Sequence, residues 1–221
     1  MLFLFIGFTN HQIKLEMTIT FENSNKESIT HEQAISSGDY TKVYSDSGVI
    51  KKREIYRQGI LMYIDYYKTS EESEASIVNM LSHLVPFTIF ETEIIANKKV
   101  EIEKSFTGTN LKIKQRSLYD ENNYLICEEN YDISEDLPIY NRTRKYHYDT
   151  ALDDLFPIMT AYYNADGSLN RIEYDTYRSD QDALRFYSDG TSGVDDMKTL
   201  AKVLNITMSE MNYYLSAALK P

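Results

Sequence analysis

A tyrosine-punctuated pattern that recurs three times along the chain sets the strongest limit on what this sequence can fold into. The copies read Tyr-x-x-x-(Gly/Asn)-x-(Ile/Leu)-x-x-x-Glu and span 44–54, 119–129 and 163–173. Each is typical of a strand end, a turn whose glycine or asparagine tolerates positive φ, and a return strand that begins with an aliphatic side chain. The pattern predicts β-hairpins. Two shorter segments resemble it, at 56–61 and 187–190.

Strand-like patterns also fill the intervals between the copies. Apolar and polar residues alternate over 100–106 and 111–114, and 87–95 is β-prone, with a turn expected at 96–99. Alternation with a period of two is typical of a sheet with one solvated face. The 19 tyrosines suit such a sheet, because the ring covers its surface while the hydroxyl stays in water. A long antiparallel meander follows.

Two regions carry a helical pattern instead. Residues 71–85 combine acidic residues at the start with an apolar stripe, and Pro86 ends the segment, so one internal helix is predicted there. Near the end of the chain, apolar side chains recur at helical spacing, and Thr207 with Glu210 forms a capping-box pattern. Residues 194–221 are therefore predicted to form a helical hairpin.

The predicted fold is a β-dominated α+β architecture, in which an antiparallel meander of β-hairpin repeats carries one internal helix and a C-terminal helical hairpin. No linker rich in proline, glycine and serine divides the chain. We therefore expect 1–193 to form the sheet with its inserted helix, and 194–221 to pack on that sheet.

The hairpin pattern resembles the tyrosine- and glycine-punctuated repeats of MORN and YD-type proteins, which include small bacterial antitoxin and immunity proteins. The resemblance covers about half of the chain, and the three copies have fewer glycines and a less regular period than MORN repeats. It implies a binding sheet without catalysis.

The charge of the chain narrows the range of partners. With 34 acidic and 23 basic residues, the net charge is -11, which repels phosphate backbones and anionic lipids and attracts basic proteins. We therefore expect a basic protein partner, and neither nucleic acid nor a membrane. A monomer and a homodimer both stay open, because exposed strand edges can pair two copies.

The single cysteine and the apolar start of the chain bear on its compartment. Cys127 has no second cysteine to pair with inside the chain, which favours a reducing cytoplasm. The apolar run Leu2–Phe8 is far shorter than the roughly 20 residues of a membrane helix, and it lacks the positive flank of a secretory signal. It is interpreted as a strand or as translation upstream of Met17, and export stays open.

An acidic stretch at 117–141 contains no lysine or arginine and interleaves carboxylates with tyrosines. Such a run is either a solvated face or a docking surface, on which acids steer encounter and aromatic rings supply buried contacts. On the docking interpretation, the predicted partner-binding residues are Asp120, Glu121, Tyr124, Glu128, Glu129, Tyr131, Asp132, Glu135 and Asp136.

The sequence offers little for catalysis, metals or cofactors, and none of these is predicted. Residues 162–173 mimic a calcium loop, but Tyr162 occupies the position of the first carboxylate and the flanks are strand-like. His147 could form an acid/base or metal cluster with Asp149, Asp153 and Asp154, although such groups are more often polar loops.

The helical tail also has the spacing of a DNA-binding helix-turn-helix. Over 194–221, however, three lysines offset three acids, and the second helix has no arginine for guanine or phosphate. A helical hairpin that covers the sheet is the preferred interpretation.

Three functional hypotheses remain. The first is a non-catalytic acidic module of the immunity or antitoxin kind that neutralises a basic effector by occlusion. The second is a β-repeat structural or envelope-associated protein without a toxin partner. An enzyme that uses His147, or a regulator that uses the tail, is the third.

Overall fold

The computed structural model describes residues 17–148, 156–174, 184–187 and 197–219. Strands make up 52% of it and helices are few, so the prediction of a β-dominated, mostly antiparallel meander is confirmed. The chain separates into two compact units, 1–67 and 68–221. The predicted boundary at 193/194 lies among residues outside the described ranges and stays a prediction.

The first unit is an antiparallel sheet of five strands in the spatial order β5-β4-β3-β1-β2. Its turns set the register of the strands. Ser47 and Gly48 join β3 to β4, Gln58 and Gly59 join β4 to β5, and all four have positive φ. Positive φ at both central residues defines the hairpin turn whose twist matches that of paired strands. The strands are β1 (Met17–Glu22), β2 (Ser28–Ile29), β3 (Tyr40–Asp46), β4 (Val49–Arg57) and β5 (Ile60–Lys68).

A helix in this unit, α1 (His31–Ser37), corrects the prediction of a single internal helix. The Thr30 hydroxyl accepts from the Gln33 amide at 3.2 Å, and the Gln33 side chain accepts from the Thr30 amide at 2.8 Å. Gly38, with φ of 73°, ends the helix. This capping box and terminal glycine are visible in the sequence, but a helix of two turns is too short for an apolar period to be recognised.

The second unit is also an antiparallel sheet, and most of its strands pair with their neighbours in sequence. The spatial order is β6-β7-β8-β9-β11-β12-β13-β14, and β10 pairs with β9. The strands are β6 (Phe87–Ile95), β7 (Lys98–Thr107), β8 (Asn110–Tyr119), β9 (Leu125–Asp132), β10 (Leu137–Pro138), β11 (Arg144–His147), β12 (Met159–Tyr163), β13 (Leu169–Tyr174) and β14 (Leu184–Tyr187).

The internal helix predicted at 71–85 is shorter than expected: α2 runs from Glu74 to Leu81. Its buried residues are Ile77 and Leu81, whereas Leu84, which the predicted stripe includes, is 50% exposed. The helix therefore ends once its apolar face has been buried, well before Pro86.

Two short helices lie near the end of the chain, α3 (Met197–Val203) and α4 (Met208–Tyr213). The expected capping box is present, because the Thr207 hydroxyl accepts from the Glu210 amide and the Glu210 carboxylate accepts from the Thr207 amide. Both helices pack on β12 and β13. The shared core contains Met159, Ala161, Ile172, Tyr174, Leu200, Ala201, Leu204, Met211 and Tyr214.

A fully buried lysine fixes the segment after α4 to the sheet. Lys145 on β11 is 0% exposed, and its Nζ donates to the carbonyl oxygens of Tyr213 at 2.8 Å and Ala218 at 2.9 Å. The same ammonium lies 3.8 Å from the centre of the Tyr213 ring. A buried ammonium is tolerated only when hydrogen bonds replace its water, so Lys145 ties the end of the chain to the sheet.

Replacing this lysine is expected to weaken the second unit. Lys145→Met leaves two carbonyl groups without their donor, and the free energy of unfolding should fall by about 2–4 kcal/mol. Urea unfolding followed by circular dichroism measures the change. Lys112→Met, which removes an exposed ammonium on β8, is the control and should change stability by about 0.5 kcal/mol or less. Equal losses in the two variants would contradict the anchoring role.

Candidate protein-binding surface

The structure distributes the nine predicted partner-binding residues over both ends and both faces of β9. Asp120, Glu121 and Tyr124 lie at the turn between β8 and β9, Asp132 is the last residue of β9, and Glu135 and Asp136 lie in the turn that follows. Glu128, Glu129 and Tyr131 lie within the strand. The strand is about 23 Å long at 3.3 Å per residue, so the predicted set is not one contiguous patch.

At the turn between β8 and β9, the predicted residues hold the local backbone. The Asp120 carboxylate accepts from the amides of Asn122 at 2.9 Å and Tyr124 at 2.8 Å. The Tyr124 ring stacks on the Tyr148 ring with 4.7 Å between centroids. Of the three predicted side chains here, only Glu121 is exposed, and the other two are partly buried.

Glu128 and Glu129 point to opposite faces of the sheet, because consecutive strand residues alternate. Glu129 is 1% exposed; its carboxylate lies 3.7 Å from the Arg116 guanidinium and accepts from the Tyr131 hydroxyl at 3.4 Å. Burial raises the pKa of Glu129, and Arg116 opposes this rise. Glu128 is partly exposed and lies directly opposite Arg144 on β11. Thus the structure places Glu129 and Tyr131 in an internal polar cluster.

The turn after β9, residues 132–137, combines carboxylates with exposed aliphatic side chains, and we name it the acidic turn. Ile133 and Leu137 are 41% and 56% exposed. Between them lie Glu135 and Asp136, and Asp132 precedes them. No other part of the predicted set places large apolar side chains in water beside its acids.

Hydrogen bonds within the acidic turn hold its backbone in one shape. The Asp132 carboxylate accepts from the Ser134 hydroxyl at 2.6 Å, the Ser134 amide at 2.8 Å and the Glu135 amide at 3.2 Å. These bonds keep the pKa of Asp132 below its ordinary value, so the group stays charged at neutral pH. Asp136 pairs with Lys114. Among the described residues, no lysine or arginine forms an ion pair with Asp132 or Glu135.

A second arrangement, which the sequence reasoning missed, recurs in both units. A basic residue lies directly opposite a tyrosine on the neighbouring strand, and a glutamate follows two residues after the basic residue. The cation lies 4.0–4.3 Å from the centre of the tyrosine ring. Three such triplets occur among the described residues. The first unit contains Lys52, Tyr44 and Glu54. The second unit contains Lys99, Tyr119 and Glu101, and also Arg171, Tyr162 and Glu173.

Within these triplets, the glutamate carboxylate is compensated by the neighbouring base. The hydroxyls of Tyr44 and Tyr162 donate to Glu54 and Glu173, each at 2.8 Å. Burial alone would raise the pKa of Glu54, but hydrogen bonds from Lys52 and Tyr44 outweigh it and lower the pKa. The negative charge of a glutamate that is paired with a cation in this way is partly compensated, so it contributes less to the attraction of a basic partner.

Tyr44 and Glu54 are partners both in the repeat pattern and in the structure, whereas the other two copies of the pattern pair tyrosines with glutamates differently from the structure. The pattern places Glu129 with Tyr119 and Glu173 with Tyr163, whereas Tyr119 lies near Glu101 and Glu173 accepts from Tyr162. The reason is register: the partner of Tyr119 is on the preceding strand, and the pairing of β12 with β13 shifts between Tyr162 and Tyr163. The sequence signal for this arrangement was the tripeptide Lys/Arg-x-Glu, which recurs in three of the strands.

The Cys127 thiol lies in surroundings that limit its reactivity. The Cys127 thiol is buried opposite Lys145, and burial raises its pKa to about 12, against which Lys145 acts. Such a thiol is protonated at neutral pH and is a poor nucleophile. The Nδ1 atom of His147 lies 3.3 Å from the Tyr214 hydroxyl, and its proposed partners Asp149, Asp153 and Asp154 lie outside the described residues.

The calcium-like loop is a hairpin turn between β12 and β13. The Asp166 carboxylate accepts from the hydroxyl and the amide of Ser168, at 2.6 Å and 2.9 Å, and Gly167 has φ of 84°. In the part of the chain that the structure describes, no three His, Cys, Asp or Glu side chains converge as metal ligands would.

Comparisons of the chain with protein-family models, with curated proteins and with solved structures found no significant match. The described helices include none that is both long and apolar enough to cross a membrane. The function is therefore argued from the geometry of the surface itself.

Charge reversal at the two neighbouring glutamates of β9 should separate a buried structural acid from an accessible one. Glu129→Lys places a second cation beside Arg116 inside the sheet and should lower the free energy of unfolding by about 3–5 kcal/mol. Glu128→Lys makes the same charge change at a partly exposed site and should cost about 1 kcal/mol or less. Urea titrations compare the two variants, and similar losses would contradict the assignment.

The buried thiol predicts a loss of stability in alkali. The Cys127 pKa is about 12 in the folded protein against an ordinary 9.0, so between these values the unfolded chain binds fewer protons and the free energy of unfolding falls as pH rises. The slope approaches about 1.4 kcal/mol per pH unit. Urea unfolding from about pH 8 to about pH 10.5 should show a steeper fall in the native protein than in Cys127→Ala. Parallel curves would show that the thiol does not titrate this way.

Proposed function

We propose that the chain is a non-catalytic, acidic protein-binding module, of the immunity or antitoxin kind, which neutralises a basic effector protein by occluding it. The observation that carries the proposal is the acidic turn, where exposed Ile133 and Leu137 lie among Asp132, Glu135 and Asp136. The hairpin repeats are, on this proposal, the scaffold that presents the turn.

The composition of the acidic turn fits the division of labour in protein interfaces. Buried apolar anchors supply most of the binding energy, while charges around them steer the encounter and select the partner. Ile133 and Leu137 are the anchors, and each exposes a large part of its surface to water. Asp132 and Glu135 form the charged rim that a basic partner would complement.

The rigidity of the turn supports binding without a large entropic cost. Three hydrogen bonds to Asp132 hold the loop, and β10 pairs Leu137 with Asp132 and Pro138 with Tyr131. A loop already held in its bound shape loses less conformational freedom on association. The partner therefore meets a preformed surface.

The other predicted residues enter this proposal in different roles. Glu121, at the far end of β9, adds to the negative field that a basic partner experiences at a distance. Glu129 and Tyr131 support the sheet beneath the turn through Arg116. The net charge of -11 makes association fast at low salt and slower as salt rises.

The test begins with capture of the tagged full-length chain from its source cells at low salt, followed by reconstitution of the purified pair. The proposal expects one basic protein, bound 1:1 and released as salt rises, whose toxicity the chain suppresses. Recovery of the chain alone, or a partner that binds equally well at high salt, would favour the structural or envelope-associated alternative.

Variants of the acidic turn then locate the contact. Glu135→Lys should slow association several-fold more than Glu71→Lys, an exposed acid on another segment whose reversal changes the net charge equally. Leu137→Ser should speed dissociation by roughly tenfold, about 1.4 kcal/mol, with little change in association. Surface plasmon resonance measures both rates. If the two reversals slow association equally, the charge acts only through the general field and the turn is not the contact.

A further inference from the structure

A cavity of about 240 Å³ opens in the first unit, beside the turn between β1 and β2. Its wall carries charged groups of both signs on different strands. The bases are Lys26, Arg53 and Arg57, and the acids are Glu22 and Asp65. The side chains of Ile55 and Tyr67 add apolar surface.

One ion pair in the wall is already complete. Arg53 on β4 lies 3.1 Å from the Glu22 carboxylate on β1, and both side chains are less than one fifth exposed, at 19% and 17%. The two charges neutralise each other within the wall. The remaining charged groups of the wall are thus Asp65 on β5, Arg57 on β4 and Lys26 in the turn between β1 and β2.

Asp65 on β5 is a carboxylate whose charge is poorly compensated. It lies directly opposite Arg53 in the strand register, yet Arg53 turns toward Glu22, and among the described residues no side chain forms an ion pair or hydrogen bond with Asp65. Burial raises the pKa of Asp65, against the effect of Arg53. The Asp65 carboxylate can therefore pair with a cation or accept a hydrogen bond from a bound ligand.

The two remaining bases of the cavity wall are exposed to solvent. Lys26 is exposed, and its backbone is held at φ of 63° by a hydrogen bond from its amide to the Asn23 carbonyl at 3.1 Å. Arg57 is half exposed and reaches Asp39 only at 3.9 Å. Both can receive an anionic group without breaking a close ion pair.

We propose that this cavity binds a small zwitterion with the ammonium and carboxylate groups of a free α-amino acid. The ligand's ammonium pairs with Asp65, and its carboxylate is held by Lys26 and Arg57. A simple anion would meet the uncompensated charge of Asp65, and a simple cation would meet two bases, so only a ligand with both charges complements the wall. The side chain of the ligand lies against Ile55 and Tyr67.

This site is independent of the proposed partner-binding role, because it belongs to the first unit and the acidic turn belongs to the second. A carboxylate kept without a partner beside a cavity is unfavourable for folding, as is common where a group serves a ligand. Removing the charge should therefore stabilise the protein while it weakens binding. A purely structural acid would show the opposite effect on stability.

Isothermal titration calorimetry of the full-length chain with each of the common L-amino acids tests the proposal. At least one should bind 1:1 with a dissociation constant of about 1 mM or tighter. Its N-acetyl derivative, which lacks the ammonium, and its amide, which lacks the carboxylate, should each bind at least about tenfold more weakly. If none binds at roughly ten times that concentration, or if either derivative binds as well as the amino acid, the zwitterion proposal is overturned.

Variants assign the two ends of the ligand. Asp65→Asn should weaken binding at least about tenfold and leave the melting temperature unchanged or higher, whereas Asp46→Asn, the same change outside the cavity, should leave binding unchanged. Lys26→Met changes an exposed residue and should weaken binding of the amino acid but not of its amide. Unchanged binding in both cavity variants, or a loss as large in Asp46→Asn, would overturn the assignment.

Discussion

The register of the antiparallel strands is the constraint on which the charges, the core and the candidate sites of this protein all depend. Tight turns fix that register, because residues such as Ser47, Gly48, Ala96 and Asn97 hold positive φ and leave only one way to pair the flanking strands. A shift by one residue would exchange the two faces of a strand. Glu129 would then enter water, and Glu128 would enter the sheet.

Register also decides which acids are neutralised. Glu54 and Glu173 each accept a hydrogen bond from a tyrosine and pair with a neighbouring base. Their charge is therefore compensated within the sheet. The acidic turn lies beyond the end of β9, where Asp132 and Glu135 have no described cation across from them. Among the described residues, eight acids outside the acidic turn form ion pairs, whereas Asp132 and Glu135 form none.

The two proposals rest on the same physical situation in different units. In each unit, carboxylates form no ion pair among the described residues: Asp65 in the cavity, and Asp132 and Glu135 at the acidic turn. At the acidic turn the groups are exposed and surround apolar side chains, which suits a protein surface. In the cavity of the first unit they line a concave wall and are of both signs, which suits a small molecule.

The sequence alone determined the β-dominated class, because alternation with a period of two and turn-forming residues are local properties of the chain. It also located the C-terminal capping box at Thr207 and Glu210, since that signal spans only four residues. The sequence reasoning missed α1, whose two turns are too short for a period, and overextended α2 to Pro86 because an apolar stripe does not show where burial ends.

Tertiary structure decided which of the nine predicted residues are exposed and which are buried. Acids that are neighbours in sequence, such as Glu128 and Glu129, lie on opposite faces, while Arg53 and Asp65, twelve positions apart, lie side by side. Lys145 became an anchor only when the segment after α4 folded back over it. Side-chain periodicity is a local property of the sequence and can be recognised from it. Electrostatic pairing depends on contacts between strands, and those contacts exist only once the register is set.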